Sequence, residues 1–112
     1  MDHTDRLTLL AMNDEAHGTR CLGGVDASET LDPRTRSLVR LAALMGVGGA
    51  VPSYGAMADA ALSAGATPVE IVDVLESVVP VVGLPSAVAA AHKVALALGY
   101  DTDCEWDQRL ES

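Results

Sequence analysis

The sequence predicts an all-α bundle of about six helices that associates with copies of itself, and three observations carry that expectation. Helix starts and stops recur along the chain. Pro33, Pro52, Pro68 and Pro85 each stand where a first helical turn tolerates proline, and Gly46 to Gly49, Gly65 and Gly99 stand where helices end. Between these marks the apolar residues fall at three- and four-residue intervals. The 112 residues are 49% hydrophobic but only 3% aromatic, with no Phe, so Ala, Val, Leu, Ile and Met must build the core. Small side chains let helices approach closely. A monomer of this size has limited interior for so much apolar surface, so part of it is expected in subunit contacts.

Each element follows from local chemistry. Residues from about Thr4 to Ala16 read as a weakly amphipathic helix with Leu7, Leu10 and Ala11 on one face, followed by a linker from Gly18 to Thr30. Asp32-Pro33 reads as an N-cap with proline at the first helical position. The helix after it carries Leu38, Leu41, Ala42 and Met45 as an apolar stripe. Pro52 starts the next helix, which runs to about Ala64. Thr67-Pro68-Val69-Glu70 is a capping box. The Val- and Ile-rich run behind it would suit a strand by propensity. The cap and the spacing of Ile71, Val74, Leu75, Val78 and Val82 predict a helix, which Pro80 should end or kink. Pro85 opens the last long helix, closed by Gly99. The predicted organisation is an N-terminal helix and linker (1–30), a helical domain (31–100) and an acidic tail (101–112).

Net charge is −9. Phosphate backbones and anionic membrane surfaces repel such a chain, so neither nucleic acid nor membrane is an expected partner. The uncharged run from Leu41 to Ala58 is broken by Gly46, Gly48, Gly49, Pro52 and Gly55, which marks a helix joint rather than a membrane span. Cys21 and Cys104 form neither a C-x-x-C nor a disulfide framework. The acidic N-terminus does not read as a signal peptide, and a cytoplasmic setting is expected.

Leu31-Asp32-Pro33-Arg34-Thr35-Arg36, Ala60 through Ile71, and Val81-Val82-Gly83-Leu84-Pro85 together resemble the carboxymuconolactone decarboxylase / alkylhydroperoxidase D-like family, over about two-thirds of the chain. The middle segment is the most specific, because helix end, turn and capping box come together at fixed spacing. The resemblance implies the alkylhydroperoxidase D-like bundle, assembled as trimers, dimers or hexamers, with a pocket near the start of the helix that begins at Pro52. It also implies that redox relatives carry a C-x-x-C and a histidine at the positions of Ala50, Ser53 and Met57, with a relay glutamate near Leu38. Lactone-decarboxylating relatives keep a histidine at the Met57 position and often another near Ser77. This chain resembles a subgroup without the redox cysteine pair, and a family-type peroxidase is disfavoured because serine cannot run a dithiol cycle.

The remaining candidates are sparse. Tyr54 can donate a proton and Ser53 can hold a carbonyl, as protonation of an enolate left by decarboxylation requires. Tyr54 is equally a packing residue whose hydroxyl finds a partner. Arg36 and Arg40, one turn apart, can meet a carboxylate or simply face solvent. Asp73 and Glu76 would form an acid–base pair if both faced a pocket. The plainer expectation puts Asp73 on the exposed face and Glu76 partly covered at a subunit contact. Met57 and Ser77 complete the pocket candidates. His3, His17 and His92 are scattered, so no metal site is expected, and Gly46-Val47-Gly48-Gly49 matches no phosphate or dinucleotide loop, so no cofactor is expected. The functional expectation is a non-redox lyase or isomerase acting on a small carbonyl or lactone acid. The alternative is a catalytically silent small-molecule-binding or assembly protein on the same scaffold.

Overall fold

A computed structural model describes residues 2–23 and 30–100. Among them all regular structure is helical: α1 (His3–Ala11), α2 (Glu15–Leu22), α3 (Pro33–Val47), α4 (Val51–Ser63), α5 (Pro68–Val82) and α6 (Leu84–Ala97). Cys104 and the acidic tail lie outside the described residues, as do residues 24–29 of the expected linker. No helix among the described residues is long and apolar enough to cross a membrane. Two compact units divide between Leu31 and Asp32.

The first unit departs from the single helix expected over Thr4 to Ala16. The chain breaks after Ala11, and Asn13 takes a left-handed conformation with φ 56°, which asparagine tolerates better than most residues. Asp14 then caps a second helix by accepting the His17 amide at 2.9 Å. That helix passes through Gly18, where the linker was expected to begin, and ends at Leu22. A short polar residue followed by an aspartate is a turn-and-cap signal, and here it outweighs the weak apolar stripe.

In the second unit α3 and α6 each pack against both α4 and α5, and also against each other. Their meeting surfaces enclose Leu41, Met45, Tyr54, Ala61, Ile71, Ala90 and Val94. Two of these, Ala61 and Ala90, are alanines, which let the helices approach closely. Asp32 caps α3 by accepting the Thr35 amide at 2.6 Å. That hydrogen bond, more than the nearby arginines, holds its carboxyl below the usual carboxylate range.

The capping box of α5 forms as the sequence predicts. Glu70 N donates to Thr67 Oγ1 at 3.2 Å, and Thr67 N donates to Glu70 Oε1 at 3.0 Å. The same carboxylate pairs with Arg34 at the start of α3, so one glutamate fixes a cap and ties two helix starts together. Thr67→Ala should lower unfolding free energy by about 1 kcal/mol, read from urea denaturation midpoints at unchanged slope. A midpoint equal to wild type would mean that the cap contributes nothing beyond what water supplies. Pro80 does not end the helix at once: α5 runs two residues past it to Val82. Proline at this point withholds one donor from the carbonyl of Glu76. Glu76 is exposed, so water can take that role, and Gly83 at φ 85° provides the actual stop.

Candidate functional site

The joint between α3 and α4 builds a small, partly enclosed recess. Gly48 closes α3 with φ 85°, a conformation that favours glycine, and its amide donates to the Leu44 carbonyl at 2.8 Å. A Cβ at Gly49 would stand 2.7 Å from Leu44 Cδ1, the movable end of that side chain, so this position is less strictly constrained. The chain can therefore fold back over Leu44 and enter α4 within one turn of Tyr54. The Tyr54 ring is buried, and its hydroxyl donates to the same Leu44 carbonyl at 3.3 Å. Burial raises the pKa of this phenol, which keeps it in the proton-bearing form.

From α6, Lys93 reaches across the joint. Its Nζ donates to the Gly49 carbonyl at 2.5 Å and lies 5.9 Å from the centroid of the Tyr54 ring, within cation–π range. A cavity of about 130 Å³ opens here, walled by Met45, Gly46, Gly48, Tyr54, Ser86 and Lys93 among others.

Of the candidate catalytic and pocket residues named from sequence, Tyr54 alone borders this cavity. Ser53 is exposed on α4, and Met57 is half-buried against the core. Asp73 and Ser77 line a mainly apolar groove of about 320 Å³ between α3 and α5, together with Thr35, Leu38 and Val78. Ser77 turns its hydroxyl onto the Asp73 carbonyl at 2.7 Å. Asp73 also borders a third recess of about 260 Å³ with Glu76, Val69, Val72 and Tyr100. Asp73 is exposed, as expected, and Glu76 is exposed too in the single chain. Arg36 is half-buried on α3, and the arginine that meets the capping-box carboxylate is Arg34.

Lys93 is the residue that sequence reasoning missed. A signal was present: it is the only lysine in the chain. It also lies in one of two stretches, 33–58 and 77–100, that carry no Asp or Glu although the chain has 16. Both stretches supply the walls of the cavity.

The model of the carboxymuconolactone decarboxylase family matches residues 16–96. The chain belongs to the carboxymuconolactone decarboxylase family. No curated protein and no solved structure gives a significant match. In this member of the carboxymuconolactone decarboxylase family, the positions that the resemblance assigns to redox residues hold non-redox side chains in ordinary structural places. Ala50 is the N-cap of α4, and Leu38 packs on the core. Cys21 is an exposed free cysteine on α2. Among the described residues no group of three or more His, Cys, Asp or Glu side chains is placed to share a metal ion.

Proposed function

We propose that this protein is a cytoplasmic, homo-oligomeric, non-redox lyase or isomerase that acts on a small carbonyl or lactone acid at the Tyr54 cavity. The observation that carries this reading is the buried phenol on the cavity wall, kept protonated by its surroundings. Loss of carbon dioxide from a carboxylated lactone leaves an electron pair delocalised as an enolate, which must be protonated at carbon. A buried phenol is still far more acidic than the carbon acid being formed, so it can give this proton, and the phenolate left behind takes one back from water. Releasing it from Leu44 does not orphan that carbonyl, because the Gly48 amide still donates to it. Self-association is supported by the apolar side chains that the single chain leaves in water: Val47, Val69, Val81 and Leu84 are all exposed.

The test is turnover of a panel of carboxylated lactones and enol acids by wild type and Tyr54→Phe. The expected result is activity on at least one substrate and a fall in kcat/KM of about 10²–10⁴ in the variant, the usual contribution of a general acid. An inactive wild type, or an unaffected variant, would remove the reading. A catalytically silent binding protein is the second reading. It is favoured by the make-up of the cavity, whose described lining residues include no carboxylate and no imidazole.

A further inference from the structure

We infer that the cavity beside Lys93 is a binding site for a compact monocarboxylate, held through its carboxylate by Lys93 and Ser86. The site rests on the Tyr54 cavity of the proposed function and names the class of molecule it takes. An ammonium group has three donors. Among the described residues, those of Lys93 meet one carbonyl and one ring face and no carboxylate. A half-buried cation in a chain of net charge −9 would ordinarily find an acid. Here the walls come from the two acid-free stretches, so no Asp or Glu of the wall segments competes for it.

The other walls agree with an anion. Ser86 lies in the first turn of α6. No side chain caps that helix start, so its free first-turn amides keep their positive polarity. Met45 and Ala90 supply an apolar floor. The fit is therefore one negative group and a short apolar body. The recess measures about 130 Å³, so it admits a carboxylate with a short apolar body, and the exposed Ser86 and Ala89 leave its rim open to the rest of a larger acid. With a single cation available, a second carboxylate would be desolvated without a partner.

The test is titration of the full chain with butyrate, butyramide and succinate by calorimetry and by backbone amide shifts. Butyrate should bind and shift Gly48, Ser86 and Ala90, while butyramide and succinate bind about tenfold more weakly or worse. Lys93→Met should weaken butyrate by about tenfold or more and Lys93→Arg by less. Ala89→Leu, an exposed position that borders the cavity, should block binding while leaving Lys93 in place. Equal binding of butyrate and butyramide, butyrate binding unchanged in folded Lys93→Met, or full binding by Ala89→Leu would each overturn the site. Butyrate binding without turnover of the lactone panel keeps this site and removes the lyase reading. Turnover that Lys93→Met leaves unchanged does the reverse.

Discussion

Ile71→Ala should lower the free energy of unfolding by about 2–5 kcal/mol. Ile71 is fully buried one turn inside α5, immediately after the capping box, and packs in the cluster that holds Leu41, Met45, Ala61 and Val94. Truncation removes its transfer free energy and leaves a hole that only neighbours can fill. Three of the nine buried members of that cluster are alanines, Ala61, Ala66 and Ala90. An alanine has no rotamer to swing into a vacancy, so relaxation requires a helix to move. That pushes the expected loss toward the upper part of the range. Val72, the next residue, is 42% exposed, and Val72→Ala should change stability by less than about 1 kcal/mol. Denaturant titrations of both variants at equal slope make the comparison. A loss at Ile71 no larger than at Val72 would mean that α5 does not anchor the bundle through this side chain.

Most of the bundle was readable because its punctuation is local. Asp32 and Thr67 form their caps from residues three positions away, and Gly48, Gly65, Gly83 and Gly99 all take positive φ. Such signals need no tertiary information. The capping box was what decided helix over strand for the Val-rich α5, where propensity alone pointed the other way. The departure in the first unit is just as local: the Asn13-Asp14 turn lies hidden inside an apparent amphipathic run.

The candidate site was less legible because it is assembled by tertiary contact. Asp73, Glu76 and Ser77 are close in sequence to one another, but the fold puts them on grooves that do not include Tyr54. The residue that does meet the Tyr54 ring, Lys93, comes from 39 positions further along, and its hydrogen bond to Gly49 spans 44. No spacing rule connects such residues. Only the distribution of charge, acid-free where the walls of the cavity arise, carried a trace of it in the sequence.

Tyr54→Ala should cost about 3–5 kcal/mol of stability, whereas Tyr54→Phe should cost about 1 kcal/mol or less. The ring is 1% exposed and is the largest fully buried side chain in the chain's described residues, so its removal opens the biggest hole any single truncation to alanine can make there. The hydroxyl is a different matter. Its hydrogen bond to Leu44 O is long, at 3.3 Å, and the same carbonyl accepts the Gly48 amide at 2.8 Å. Removing a donor from an acceptor that keeps another partner forfeits only the modest net value of one hydrogen bond. Thermal unfolding of the two variants beside wild type tests this directly. If Phe were nearly as destabilising as Ala, the hydroxyl would be a structural necessity, and any activity lost in Tyr54→Phe would report on folding. If Phe is close to wild type, the phenol is dispensable to the fold, and its burial at the edge of the Lys93 cavity calls for a chemical reason.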